Sequence, residues 1–330
     1  MTHRIRLSIV ATLLAACLAL STSALAEPSV TLPDLEFAPE GIAIDRAGLL
    51  YTGSLTQGRI VRADPTTGDV VDFVAPGVGG LVSVVGLLVS KDDRLLYACS
   101  SDPGLSALTG TARPALVAFD LGTGDLVGRY ELPGEGGFCN DLTELRDGTI
   151  LATDSFEPRI YALRPGTEAL EIWFEDESFR GEGFNLNGIA ATKNVVYVVR
   201  YNEGTLHGIE LLRDGEAGEL FEVSLPRPLQ APDGLKALPG RRLLVVEGGG
   251  LSAGDTGAVS ILKLKRNRTA VRVVAAGLDI PTTAVVRHGF AYVVEGQLDH
   301  LFDPEAGTAS PYRILKLPLG PEGAWSSKLW

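Results

Sequence analysis

Residues 139–154 read Cys-Asn-Asp-Leu-Thr-Glu-Leu-Arg-Asp-Gly-Thr-Ile-Leu-Ala-Thr-Asp. Two short runs that contain apolar residues flank the segment Arg146-Asp147-Gly148. Asp-Gly is a frequent turn dipeptide, and short apolar runs on either side of it favour a β-hairpin. The stretch therefore predicts two antiparallel strands, the first of which begins near Asn140.

The same hairpin pattern recurs six times along the chain. In each copy a short apolar strand is followed by a turn and a second apolar strand. The second residue of each copy lies 45 to 55 residues after that of the preceding copy. These six residues are Glu40, Val85, Asn140, Asn187, Asp233 and Thr282. Repeats of roughly 40 to 50 residues with about four strands each are typical of propeller blades.

Six such blades account for nearly all of the 330 residues. The 45% hydrophobic content excludes a disordered chain, and 39 glycines and 19 prolines fit frequent turns. We therefore expect an all-β fold: a single six-bladed β-propeller domain over residues 27–330, with four-stranded blades around a central channel. The last copy is short of one strand, which residues 30–32, Val-Thr-Leu, could supply.

The N-terminal segment has the pattern of an export signal. Two arginines precede an uncharged run at residues 7–20, and residues 24–26, Ala-Leu-Ala, form a cleavage site. The run is too short for a membrane-spanning helix. We expect residues 1–26 to be removed, which predicts a periplasmic or secreted protein. The alternative is a lipoprotein anchored at Cys17, because residues 14–17 read Leu-Ala-Ala-Cys.

The charge balance argues against a nucleic acid partner. The net charge is −12, and it becomes −14 once two arginines of the leader are removed. No basic cluster follows the leader, so a surface that tracks phosphates is not expected. The expected partner is a small molecule, and no sequence feature indicates an oligomeric state.

Equivalent positions of different blades converge on one face of a propeller, around the central channel. Four of the six repeat residues carry oxygen ligands: Glu40, Asn140, Asn187 and Asp233. Carboxylate and amide oxygens without thiolate or imidazole suit Ca²⁺ first, with Mg²⁺, Mn²⁺ or Zn²⁺ as alternatives. Taken singly, Asn187-Gly188 and Asp233-Gly234 are also ordinary turn dipeptides.

With these four positions, the chain resembles the SMP-30/gluconolactonase/LRE-like family of six-bladed propellers, which is related to the paraoxonases. The resemblance extends through the blade starts over nearly the whole chain after the leader. It implies that Glu40, Asn140, Asn187 and Asp233 hold a divalent metal. It also implies hydrolysis of a lactone or a related ester.

The second strand of each repeat returns to the face where the first begins. The last residues of the six second strands are Ser54, Cys99, Asp154, Arg200, Glu247 and Glu295. Hydrolysis needs a carbonyl polarised by the metal and a water activated by a general base. Asp154 is the expected base and Glu247 the second candidate, although Asp154 could instead cap a turn. Arg200 and Glu295 are expected to bind substrate.

The same geometry puts Cys99 and Cys139 on one face of neighbouring blades, where they form either a disulfide or two buried thiols. One position departs from the family pattern. Phe138 stands where the gluconolactonase branch commonly has an arginine that holds sugar hydroxyls. This difference points to a more apolar lactone or ester, and Phe138 is expected to contact it.

Two other functions remain open. One is a propeller that keeps the metal for stability and binds a ligand or a protein without catalysis. The other is a strictosidine-synthase-like propeller, whose relatives work without this metal set. Retention of all four oxygen ligands counts against the second of these.

Overall fold

The computed structural model describes residues 27–134, 136–265 and 268–320. In these residues, 24 strands form six antiparallel sheets of four strands each. The predicted six-bladed β-propeller is confirmed. The predicted leader, including Cys17, lies outside the described residues, and so do residues 321–330. The domain boundaries stay predictions.

The strands are short, as the turn-rich sequence indicates. Blades 1 to 3 consist of β2 (Pro39–Ile44), β3 (Leu50–Ser54), β4 (Ile60–Ala63), β5 (Val70–Val74), β6 (Ser83–Val89), β7 (Leu95–Ser101), β8 (Ala115–Asp120), β9 (Leu126–Glu131), β10 (Cys139–Glu144), β11 (Ile150–Asp154), β12 (Arg159–Leu163) and β13 (Glu171–Glu175). Blades 4 and 5 consist of β14 (Leu186–Ala191), β15 (Val195–Arg200), β16 (Thr205–Leu211), β17 (Ala217–Glu222), β18 (Pro232–Leu238), β19 (Arg242–Glu247), β20 (Gly257–Lys265) and β21 (Arg268–Leu278).

The sixth blade combines both ends of the described chain. It contains β22 (Pro281–Arg287), β23 (Phe290–Glu295), β24 (Arg313–Pro318) and, on its outer edge, β1 (Glu27–Thr31). Strand β1 pairs with β24 in antiparallel register, with Val30 opposite Ile314. The expected closure of the ring by the N-terminal strand is therefore confirmed.

In the residues that the structure describes, helical structure is limited to short segments of the loops. Helix α1 covers Asp299–Phe302, and two 3-10 helices cover Val78–Gly80 and Glu177–Phe179. Within the described part of the chain, no helix is long and apolar enough to span a membrane. The loop segment with α1 lies between β23 and β24 and contributes to the pocket described below.

The six inner strands β2, β6, β10, β14, β18 and β22 contact one another in a closed cycle around the central channel. Each of them pairs with the second strand of its blade, and each of these pairings contains a register shift near its start. In blade 4, for example, Leu186 is opposite Arg200 but Ile189 is opposite Val198. Two residues of the inner strand, Asn187 and Gly188, thus lie opposite the single residue Val199 of its neighbour, which defines a β-bulge. The repeat residues Glu40, Val85, Asn140, Asn187, Asp233 and Thr282 all lie inside these bulges.

The glycines after the repeat residues allow the blades to approach one another closely. A Cβ atom at Gly188 would lie 2.2 Å from the carbonyl oxygen of Asp233 in the next blade. Asn187-Gly188 and Asp233-Gly234 lie within strands β14 and β18. The interpretation of these dipeptides as ordinary turns is therefore wrong.

Candidate functional site

The four predicted oxygen ligands form the floor of one pocket at the centre of the ring. Glu40, Asn140, Asn187 and Asp233 all line it, although they come from blades 1, 3, 4 and 5. Each residue is only 4% to 6% exposed. They reach the same place because each lies in the bulge at the start of an inner strand.

Three of these four side chains have a buried oxygen without a hydrogen-bond partner. The atoms are Oε2 of Glu40, Oδ1 of Asn140 and Oδ1 of Asn187. A buried oxygen that lacks a donor costs about 1 to 3 kcal/mol, so several at one point need an explanation. A cation bound between these oxygens would satisfy them.

Hydrogen bonds fix the orientation of both floor amides. Asn140 donates from Nδ2 to Oγ of Ser155 at 2.8 Å, and Ser155 in turn donates to the carbonyl oxygen of Leu186 at 2.5 Å. The side chain of Asn187 hydrogen-bonds the carboxyl group of Asp233. Because the amide nitrogens have these roles, the carbonyl oxygens remain available for a ligand.

The floor is unfavourable for negative charge when no cation is present. Burial raises the pKa of Glu40 well above its usual range, and repulsion from Asp233 and Asp141 adds to the effect. The pKa of Asp233 is raised for the same reasons, by burial and then by Asp141. Lys236 opposes the shift in both cases.

The floor residues fit a hard divalent cation. They offer two carboxylates and two amide oxygens, which is the ligand chemistry that Ca²⁺ prefers. No cluster of three or more His, Cys, Asp or Glu side chains suited to a metal occurs in the described part of the chain. A metal site at this floor therefore needs the amide oxygens of Asn140 and Asn187 in addition to the two carboxylates.

The walls of the pocket are apolar. The empty space is about 470 Å³, and above the floor it is lined by Leu55, Val85, Pro103, Leu105, Phe138, Phe184, Tyr201, Leu251, Leu298 and Phe302. Phe184 is the centre of an aromatic cluster: its ring centroid is 5.3 Å from that of Phe138 and 6.4 Å from those of Tyr201 and Phe302. The pocket thus combines a polar floor with apolar, largely aromatic walls.

Among the described residues that line this pocket, Tyr201 is the one with a hydroxyl group. Burial raises the pKa of its phenol, and the nearby carboxylates Asp233 and Asp255 raise it further. The phenol therefore stays protonated at neutral pH and can donate a hydrogen bond to a ligand above the floor.

Phe138 lies where the sequence predicts, on the pocket wall and 4% exposed. Asp154, the expected general base, does not line the pocket. It is fully buried, and its Oδ1 accepts hydrogen bonds from the backbone N–H groups of Phe138, Phe156 and Glu157 at 2.8 to 3.1 Å. Tyr161 donates to its other oxygen at 3.2 Å. This position favours the alternative, in which Asp154 caps a turn.

The other expected catalytic and substrate-binding residues also lie outside the pocket lining. Glu247 accepts from Arg227 at 2.6 and 2.9 Å, and Glu295 forms an ion pair with Arg313 at 2.6 Å. Arg200 reaches the backbone carbonyl of Arg180 at 3.5 Å. These three side chains follow the predicted phase of the repeat, but each contacts another part of the protein and none of them lines the pocket.

Cys99 and Cys139 are joined by a disulfide that links blade 2 to blade 3. The expected end position of β7 is off by one residue, because Ser100 and not Cys99 pairs with Val84. Cys139 directly precedes the floor residue Asn140, so the bridge ties this part of the floor to the neighbouring blade.

Most of the wall was not predicted from the sequence. Phe184 and Phe302 come from loops of unequal length, so the repeat spacing carries no information about them. Tyr201 has a detectable signal, since it directly follows Arg200 at the end of a second strand. The repeat phase points to Arg200, the last residue of the strand, and therefore does not single out the residue after it.

The fold and the floor define a class of protein: a six-bladed propeller with a buried, oxygen-rich centre. Known protein families match only the first part of the chain. A family model described as "Strictosidine synthase-like, N-terminal" matches residues 25–63. This segment extends through β4 of blade 1. No curated protein sequence matches the chain.

Several solved structures share the fold. A PQQ-bound aldose sugar dehydrogenase from Streptomyces coelicolor is 14% identical, with a TM-score of 0.60 over 88% of this chain and 96% of that one. A gluconolactonase from Xanthomonas campestris is 19% identical, with a TM-score of 0.57 over 85% of each chain. A putative gluconolactonase is 16% identical, with a TM-score of 0.59 over 88% and 90%. At such identities the similarity establishes the propeller fold and nothing finer.

Proposed function

We propose that this chain is a divalent-cation-dependent hydrolase that opens an apolar lactone or a related ester. The observation that carries the proposal is the pocket, in which buried oxygens without donors lie beneath aromatic and aliphatic walls. Gluconolactonases among the solved structures of similar fold support it, as does the resemblance of the floor to the SMP-30/gluconolactonase/LRE-like pattern.

Glu40, Asn140, Asn187 and Asp233 would hold the cation, with Ca²⁺ as the first candidate. When bound, a divalent cation acts as a Lewis acid toward a carbonyl oxygen. The chain supplies the remaining steps. The walls exclude water from the acyl or aryl part of the substrate, and the hydroxyl of Tyr201 donates to the carbonyl oxygen as negative charge develops there.

We assign the activation of the attacking water to the floor carboxylates Glu40 and Asp233, and not to Asp154 or Glu247. Of the carboxylates in the described residues, these two alone line the pocket. Asp154 and Glu247 have their acceptor atoms occupied by backbone N–H groups and by Arg227, respectively. The base must reach the proton that it removes, so position decides before pKa.

A panel of neutral esters tests the reaction. Acid release from a sugar lactone, an alkyl-substituted lactone and an aryl ester is followed with a pH indicator, with Ca²⁺ and after its removal by EDTA. We expect Ca²⁺-dependent turnover that is highest for the alkyl and aryl substrates. Asp233→Asn should lower kcat/KM at least 100-fold, whereas Asp214→Asn, on an exposed turn, should leave it unchanged. A flat response across the panel would instead support a binding module without catalysis.

The aromatic entrance is tested separately. Phe302 is 39% exposed at the pocket, so its removal should not unfold the protein. We expect Phe302→Ala to lower kcat/KM for the alkyl lactone about tenfold, in line with a loss of one or two kcal/mol of apolar contact. The sugar lactone should be unaffected. Phe221→Ala, a similarly exposed residue on the outer strand β17, is the matched control.

The match over residues 25–63 favours a second candidate, a strictosidine-synthase-like propeller that works without the metal set. Calorimetry separates the two. Binding of one Ca²⁺ per chain that is lost in Asp233→Asn supports the hydrolase, and absence of binding supports the second candidate.

We also propose that the protein is exported and cleaved after Ala26, on the evidence of its leader. Mass spectrometry of the mature chain tests this, because a chain that begins at Glu27 supports cleavage and a lipid on Cys17 supports the anchored form.

A further inference from the structure

Below the pocket floor the central channel contains a lysine that bridges the two blades on either side of blade 4. Lys236 of β18 extends its ammonium group to Asp141 of β10, with Nζ 3.4 Å from each carboxylate oxygen. The two strands belong to blades 5 and 3, which are not neighbours in the ring. The pair is mostly shielded from solvent, since the side chains are 22% and 7% exposed.

This ion pair is adjacent to the floor along both strands. Asp141 directly follows the floor residue Asn140, and Lys236 lies three residues after the floor residue Asp233. Both Asp141 and Lys236 act electrostatically on Glu40 and on Asp233. The four charged groups therefore behave as one unit, with three carboxylates and one ammonium.

The charges of this unit sum to −2 when all four groups are ionised. One divalent cation brings the sum to zero, which leaves a neutral floor beneath apolar walls. A trivalent cation leaves an excess positive charge in a buried place, and that is costly. Without Lys236 the same floor would carry −3 and would match a trivalent ion.

We propose that Lys236 is a built-in counter-ion of the pocket floor that makes the site selective for divalent over trivalent cations. This inference rests on the proposed metal site. Lys236 is thus a positioning and selectivity residue: it does not touch the substrate, and it acts through the charge that it places under the ligands.

The test compares Ca²⁺ with Tb³⁺, which has a similar radius but one more charge. Dissociation constants of both ions are measured by calorimetry and by Tb³⁺ luminescence with competing Ca²⁺. We expect Lys236→Met to strengthen Tb³⁺ binding about tenfold more than Ca²⁺ binding, as the loss of one nearby charge predicts. Asp141→Asn should shift the ratio in the opposite direction, and the double variant should restore the ratio of the wild type.

Two further variants serve as controls. Lys236→Arg keeps the charge and should keep the ratio, whereas Lys263→Met removes an exposed lysine of β20 and should have no effect. Should Lys236→Met fail to fold, the opposite shift expected for Asp141→Asn still tests the idea. Ca²⁺ binding by the wild type with an unchanged ratio in Lys236→Met or Asp141→Asn overturns this inference alone. Binding of neither ion by the wild type overturns the metal site and this inference with it.

Discussion

Asp154 illustrates how a buried carboxylate serves the site without facing the substrate. Burial raises the pKa of Asp154, and hydrogen bonds from three backbone N–H groups and from Tyr161 partly offset that effect. Two of these N–H groups belong to Phe138 and Phe156, whose rings are in contact with centroids 5.0 Å apart. The carboxylate therefore fixes the backbone that carries part of the aromatic cluster.

Substitutions at Asp154 distinguish capping from catalysis. Asp154→Asn keeps an oxygen for the three N–H groups, so we expect a loss of about 1 kcal/mol of unfolding free energy and near-normal kcat. Asp154→Ala leaves those donors unsatisfied and should cost about 3 kcal/mol or more. Urea unfolding and turnover of both variants check this. An Asp154→Asn protein of normal stability that has lost its turnover would return the role of base to Asp154.

Glu247 allows a prediction of pH dependence. Burial pushes the pKa of Glu247 upward, but hydrogen bonds from Arg227, the N–H group of Gln230 and Ser260 outweigh it and hold the pKa below the usual range. A carboxyl group with a lowered pKa in the folded state contributes stability above its ordinary pKa. That contribution is lost as the pH falls through the folded-state value.

Arg227→Met should remove this contribution and leave a buried charge without its partner. We expect a loss of about 2 to 3 kcal/mol at pH 7, below the figure for a fully buried pair because Arg227 is partly exposed. The difference from the wild type should be smaller at pH 4 than at pH 7, because without Arg227 the pKa of Glu247 is higher and the variant takes up the proton before the wild type does. Urea unfolding at both pH values measures it, and a difference that does not change with pH would contradict the argument.

The inner strand with its bulge is the structural element on which the site depends. The bulge places the repeat residue toward the channel, and the following glycine in four of the blades lets the next strand approach. A Cβ atom at Gly188 would collide with two backbone atoms, because it would also lie 2.6 Å from the backbone nitrogen of Leu235. Backbone atoms cannot move aside as a flexible side chain does.

Gly188→Ala should therefore push blades 4 and 5 apart. We expect a loss of about 2 to 3 kcal/mol of stability and Ca²⁺ binding weakened about tenfold, because Asn187 and Asp233 would separate. Thermal melts with and without Ca²⁺ check both effects. Gly122→Ala, where the nearest atom is a side-chain oxygen of Asp120 at 3.3 Å, is the control and should be nearly neutral.

The repeat explains which parts of the site could be predicted from the sequence. The start of every inner strand has the same phase, so the repeat predicts Glu40, Asn140, Asn187 and Asp233 although one or two whole repeats separate each from the next. The ends of the second strands were found with similar accuracy, except for Cys99. The repeat spacing does not predict which groups the side chains at these strand ends contact. Most hydrogen-bond partners of Asp154 and Glu247 lie in loops without a repeat, as do Phe184 and Phe302.

The molecule as a whole depends on the strand that joins its two ends. Val30 of β1 is 2% exposed and belongs to the hydrophobic core, whereas the next residue, Thr31, is exposed. Val30→Asp should bury a charge without a partner and cost about 3 kcal/mol or more. Thr31→Asp, one residue further on the same strand, should be nearly neutral. Equal effects of the two variants in thermal melts would mean that β1 does not close the ring.

This closure also sets an order of events during folding. Residues 27–31 are the first of the described chain to be made, yet their partners at residues 313–316 are among the last. Until those partners emerge, β1 has no strand to pair with, and an unpaired strand edge invites association with other chains. Contacts of such wide sequence separation also form slowly. The completed ring therefore cannot assemble blade by blade as the chain is synthesised, and the first strand must stay free until the last is ready to receive it.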